Sequence, residues 1–261
     1  MHRATRRPVL ETPWKLTNML SSRDLDGVLA RVAPLRSDYS IASISRPAED
    51  VGGDFFVLVP REHGTCVLIG DVCGTGRDAA QIANRIKPHV HAVSHRVHDP
   101  SELLHALNRV VAPLMPPDRF VTAAAIELDS RHGELMIANA GHVPALIRRG
   151  SGGTIVLGRA SGPPLGMLPE ARYTNVYDGL GAGDVLVLIT DGVLEAIETE
   201  LTTMRAVAGI LNEAPEGAEA VNRSLFAEVE RRSSSQKTDD RTVLTIERAA
   251  RKLELPRRKS S

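Results

Sequence analysis

Cysteine occurs only twice in the 261 residues, at Cys66 and Cys73. Two thiols build no disulfide framework, which fits a reducing compartment and makes the cytoplasm the expected location. Their spacing is not C-x-x-C and no third thiol exists, which excludes a cysteine zinc site. Aromatic residues are almost as scarce, at 3%. That leaves few rings for stacking nucleic-acid bases and demands a core of Val, Leu, Ile and Ala. No apolar run reaches the ~18 residues of a membrane span, and the basic N-terminus lacks the apolar stretch of a signal peptide, so no membrane role is expected. Excess charge is missing too. Lys+Arg 32 balances Asp+Glu 32 for a formal net charge of +0, which argues against a broad nucleic-acid-binding surface. Both ends are basic (Arg3, Arg6 and Arg7; Arg251, Lys252, Arg257, Arg258 and Lys259) and read as solvated tails.

What remains is enough chain for one substantial core. Residues 1–37 read as a lead-in, with a short helix over 21–35 capped by Ser22. Such a lead-in is too short for a separate sensor fold. Residues 38–248 form the expected domain, and 249–261 a basic, disordered tail. Residues 38–46 alternate apolar and polar side chains, as a half-buried strand does. Residues 78–98 look helical, with Pro88 bending or splitting them, and a second helix runs from Glu102 to Val111. His89, His91, His95 and His98 lie on the first of these, partly at i,i+4 spacing, but no carboxylate there completes a ligand set, and surface histidines are the simpler reading. Strand-like runs follow at 120–128, 134–139 and 143–147, then helical stretches near 193–198, 203–212 and 217–232, and a last strand at 242–246. Strands come in runs with helices grouped between them. That pattern favours α+β with largely antiparallel sheets.

The chain is organised around residues 66–76, Cys-Val-Leu-Ile-Gly-Asp-Val-Cys-Gly-Thr-Gly. An apolar strand ends there in one carboxylate, Asp71, which is costly unless something cationic meets it. Phe55–Val59 and Thr65–Gly70 form a hairpin through Pro60-Arg61-Glu62-His63-Gly64. If its loop is centred between Glu62 and His63, Asp54 falls opposite Asp71, with Cβ atoms ~5 Å apart. Two carboxylates so placed need a shared proton or a cation. Residues 181–192 repeat the theme, an apolar strand ending at Asp191, and Asp239-Asp240 precede the last strand. Asp54 and Asp239 begin strands and Asp71 and Asp191 end them. In antiparallel sheets starts lie beside ends, so all four acids gather at one edge of a sandwich. Carboxylates without His or Cys form a hard-oxygen site suited to Mg²⁺ or Mn²⁺. Two such ions match four negative charges, share and acidify a water, and clamp a phosphoryl group for in-line attack.

At this point the sequence resembles a known family. Val51-Gly-Gly-Asp54, Ile69-Gly-Asp-Val-x-Gly-x-Gly76, Phe120-Val-Thr-Ala123, Asn139-Ala-Gly-His142, Pro164-Leu-Gly166, the 183–196 segment and Asp239-Asp-x-Thr242 are similar, in order, to the PPM metal-dependent serine/threonine phosphatases. The branch typified by the stage II sporulation protein E phosphatase domain is the nearest in pattern. The resemblance implies an αββα sandwich and hydrolysis of phosphoserine or phosphothreonine on proteins. It carries two Mn²⁺ or Mg²⁺ ions to Asp54, Asp71, Asp191 and Asp239, with Asp71 bridging and the Val72 carbonyl as a further ligand. Asp240 shares or swaps the role of Asp239. The implied partner is a phosphorylated regulatory protein, an anti-sigma-factor antagonist. Cys73 and Thr75 depart from the small residue and the histidine often found in the family. His142 offers itself as a general acid, but the resemblance makes it a structural residue of its turn. The rival readings are a silent binding module on the same fold, which loss of ligand aspartates would favour, and a two-metal nuclease, which the neutral charge opposes.

Overall fold

The computed structural model describes residues 30–32, 39–197, 203–233 and 239–248. Two antiparallel sheets lie face to face. One runs β1 (Ala30–Val32), β2 (Tyr39–Arg46), β11 (Arg241–Arg248), β10 (Val185–Ile189), β7 (Ala145–Arg148), β8 (Thr154–Leu157) in spatial order. The other runs β3 (Phe55–Arg61), β4 (Gly64–Val72), β5 (Val121–Asp129), β6 (Glu134–Ala140), β9 (Val176–Gly179). Helices α1 (Gly76–Ser94) and α2 (Pro100–Val111) cover the β3–β9 sheet. Helices α3 (Asp191–Ile197), α4 (Thr203–Glu213) and α5 (Ala218–Arg232) cover the other.

The alternation of side chains along each strand builds this αββα sandwich. On β4, Cys66 and Leu68 pack under α1 and α2, while Val67 and Ile69 face the opposite sheet. On β10, Val185, Val187 and Ile189 meet α3–α5, and Leu186 and Leu188 face inward. Strands with apolar residues on both faces are buried on both faces, so each sheet is roofed by helices.

Some local expectations give way. Residues 30–32 are not helical; they pair with Ile41–Ser43 at the edge of β2. That pairing takes up backbone groups an edge strand leaves open. Residues 21–29 and the 249–261 tail lie outside the described residues. β2 is not half-buried: Ala42 and Ser43 are both covered, because β2 sits between β1 and β11 and α5 packs over it. There the Asn222 side chain donates to the carbonyl oxygens of Ala42 and Val243. Pro88 does not split its helix, since α1 is continuous from Gly76 to Ser94. The carbonyl that Pro88 leaves without a donor belongs to Asn84, an exposed residue on the outer face of the helix. Strands β8 and β9 had no signal, being four residues each at sheet edges.

Candidate metal centre

The β3–β4 hairpin has the register the sequence predicts, with Phe55 opposite Gly70 and Arg61 opposite Gly64. Asp54 therefore enters β3 beside Asp71 near the end of β4. In the other sheet Ile189 pairs with Val243, and Thr190 N–H donates to the Thr242 carbonyl. This brings Asp191, at the start of α3, next to Asp239 and Asp240, just ahead of β11. Each sheet contributes one strand end and one strand beginning, and the two pairs share one rim of the sandwich.

The electrostatics show how closely these acids crowd. Burial, then the charges of Asp191, Asp239 and Asp240, push the Asp71 carboxyl up to about 7. Burial raises Asp239 to about 6, with Asp191, Glu195 and Asp240 adding to it. Asp54 is raised well above the carboxylate range by burial and by Asp71. Its Oδ2 accepts from the Thr190 hydroxyl at 2.8 Å, whereas its Oδ1 is shut off from solvent and has no partner among the described residues.

Asp239 and Asp240 have different surroundings. Asp240 is buried, and its two oxygens accept from Ala48 N–H at 2.7 Å and Gly53 N–H at 2.6 Å. It thus holds the loop that delivers Asp54. Asp239 is half-buried and turned toward Asp191, with one oxygen accepting from the backbone N–H of Asp240. The loop needs Gly53 for another reason: a Cβ there would lie 2.8 Å from the Val72 carbonyl oxygen. A Cβ at Gly52 would collide with the Asp240 carboxylate.

Other candidates separate from the rim. His142 is buried below it, with its Nδ1 at 2.9 Å from the Thr122 hydroxyl and its backbone N–H donating to Asn139 Oδ1. Burial drives its imidazole down to about 4, so it is neutral at neutral pH. Burial and neighbouring His95 also lower His91, but none of these histidines joins the rim acids; His98 faces Glu127 instead. A cleft of about 820 Å³, lined in part by Arg61, His63, Glu127 and Asp178, opens at the opposite end of the β3–β4 hairpin and holds none of the rim acids. Thr190 escaped the sequence reading. Its position beside Asp191, where the strand leaves the sheet, was the available signal.

The donor set fits hard divalent cations: carboxylates from both sheets, a backbone carbonyl within reach, an orphaned Asp54 oxygen, and, among the described residues, no histidine grouped with these acids. Among the described residues no three acid, histidine or cysteine side chains already close on one point at ligating distance. Asp54, Asp191, Asp239 and Asp240 each accept from a protein donor instead.

Comparison with known proteins agrees with this architecture. The phosphoserine phosphatase RsbU of Bacillus subtilis strain 168 is 29% identical over 168 residues, which is 64% of this chain and 50% of that protein. The phosphoserine phosphatase RsbP of the same organism is 28% identical over 160 residues, 59% of this chain and 40% of that protein. The chain thus spans half or less of these relatives. The RsbU and RsbW domains of Rv1364c from Mycobacterium tuberculosis superpose with a TM-score of 0.71 at 24% identity, covering 87% of this chain and 64% of that one. The PP2C phosphatase domain of SpoIIE from Bacillus subtilis also gives 0.71, at 19% identity, covering 82% of this chain and 65% of that one. The sequence model described as stage II sporulation protein E matches residues 61–249, and the chain belongs to that family.

Proposed function

We propose that this chain is a Mn²⁺- or Mg²⁺-dependent protein phosphatase that removes phosphate from serine or threonine of a cytoplasmic regulatory protein. The observation that carries the reading is the meeting of Asp54 and Asp71 from one sheet with Asp191 and Asp239 from the other, close enough that burial and mutual repulsion raise Asp71 to about 7. Asp54, Asp71, Asp191, Asp239 and the Val72 carbonyl would hold two divalent ions. Bound there, such ions supply an acidified water and neutralise phosphoryl oxygens. The rest of the work belongs to the chain. The two sheets fix the acids on rigid strand ends, Thr190 orients Asp54, and Asp240 clamps the 48–53 loop so that Asp54 and Val72 stay side by side. The names of RsbU and RsbP support a phosphoserine substrate, and the family resemblance supports an anti-sigma-factor antagonist as the partner that carries it.

The test is Mn²⁺-dependent release of phosphate from an aryl phosphate and from a phosphoserine protein by wild type, Asp71→Asn and Asp191→Asn. Wild type should turn over, and each variant should lose at least about 100-fold. Equal activity in all three would remove the metal mechanism. Inactivity of all three on both substrates would favour a silent binding module.

A further inference from the structure

Arg119 lies directly beside this rim and no mechanistic step yet uses it. Strand β5 continues alongside the rim hairpin: Asp71 pairs with Thr122, Val72 pairs with Val121, and Cys73 N–H donates to the Phe120 carbonyl. Arg119 is thus the next residue outward, opposite the 73–76 loop. A turn closed by its own N–H on the Pro116 carbonyl presents it there. Its Nη1 donates to the Cys73 carbonyl, and the guanidinium lies where a Cβ on Gly74 would be. Gly74 has φ +97, a conformation that glycine adopts without strain, so the loop both turns and makes room for the arginine.

The guanidinium has an unusual share of unspent capacity. It carries five N–H donors, and among the described residues its side chain has one hydrogen bond and no carboxylate partner. Half-buried Arg61 and Arg149 are committed to carboxylates, Arg61 to Glu127 and Arg149 to Asp178 and Asp184, whereas half-buried Arg148, like Arg119, rests on one carbonyl but lies far from the rim acids, against Pro215. A half-buried cation held by one carbonyl, at the edge of a site built for phosphoryl groups, has the chemistry of an oxyanion receptor. Helix α1, which starts at Gly76 with no side-chain cap, adds partial positive charge on the same side of the loop.

We propose that Arg119 is the substrate-binding residue that receives the phosphoryl group, its free N–H groups donating to phosphoryl oxygens not held by the rim. The assignment rests on the phosphatase reading for its substrate, but a phosphate-binding measurement decides it separately. A fork of donors fixes the direction from which the phosphate enters.

The probe is inorganic phosphate, titrated calorimetrically into the full chain with saturating Mn²⁺, for wild type, Arg119→Ala, Arg119→Gln and Arg119→Lys. Mn²⁺ affinity is read in parallel from the electron paramagnetic resonance of the free ion. The expected result is about 10- to 100-fold weaker phosphate binding in the Ala and Gln variants. KM for an aryl phosphate should rise by a similar factor, with partial recovery in the Lys variant and Mn²⁺ affinity within about twofold of wild type. Phosphate affinity unchanged in the Ala and Gln variants would overturn the assignment. So would a parallel loss of Mn²⁺ affinity, which would make Arg119 a prop for the loop, and so would the absence of phosphate binding in wild type. Should wild type bind phosphate yet hydrolyse nothing, the phosphatase reading fails while the calorimetry still decides Arg119. Should Arg119→Ala not fold, the Gln and Lys variants carry the comparison.

Discussion

Thr190 joins the two sheets at the rim: its hydroxyl donates to Asp54 Oδ2 at 2.8 Å and accepts the Thr242 backbone N–H at 2.9 Å. One buried oxygen therefore ties the end of β10 to the start of β11 and to an acid of the opposite sheet. Thr190→Val keeps the shape and removes both bonds, leaving a buried amide and a buried carboxylate oxygen short of partners. The expected cost is about 1–3 kcal/mol of unfolding free energy, read by urea denaturation. Thr190→Ser, which retains the hydroxyl, should restore most of it.

Asp239 and Asp240 are neighbours with opposite predicted behaviour in chelator. Asp239→Asn removes one of several like charges and should leave stability unchanged or raised. Asp240→Ala strands the N–H groups of Ala48 and Gly53 and should lower it by about 1–3 kcal/mol. On adding Mn²⁺ the ranking should change: the Asn variant should show little metal-induced rise in melting temperature, and the Ala variant a clear one. If both variants behaved alike in chelator, the division of labour between the two acids would be wrong.

The difference between these two acids marks where the sequence stops being readable. The hairpin register needed only the centre of one loop, and the burial of β4 and β10 on both faces followed from their unbroken apolar runs. The four acids were visible because each sits where an apolar strand begins or ends. Asp240 is another matter. Its partner at Gly53 is 187 positions away, and nothing local distinguishes an acid that caps a distant loop from one that faces a cation. Thr190 was hidden for the same reason. At β2, Ser43 and Ser45 suggested a solvated face, but small polar side chains equally suit a strand on which a helix must lie close. At Pro88 the missing hydrogen bond fell on the carbonyl of an exposed residue, so the expected break had no cost large enough to enforce it.

His142 should behave as a buried neutral base and not as a proton donor. Its imidazole is lowered to about 4, against an ordinary value near 6.5. Its contribution to stability is therefore complete above about 6.5 and lost as the pH falls toward 4. His142→Asn should destabilise the protein at pH 7, and the gap to wild type should narrow by pH 4.5. Mn²⁺ affinity should change little. A shift of the acidic or basic limb of the turnover profile in this variant would instead place His142 in the proton transfers.

The rim acids titrate with the opposite sign. Asp71 and Asp239 are raised to about 7 and about 6 in the folded chain, against about 3.9 for an unperturbed aspartate. Between those values the folded state binds more protons than the unfolded one, so stability in chelator should fall as pH rises from about 4 to 7 and level off above. Divalent ions act the other way, because their ligands must be deprotonated and binding to the folded state alone stabilises it. The difference in melting temperature between Mn²⁺ and chelator should therefore widen steadily from pH 5 to pH 8. Asp71→Asn removes the acid on which three other charges bear, and it should flatten both the chelator slope and the metal response. A Mn²⁺ effect of constant size across that range would mean the ions bind somewhere other than these carboxylates.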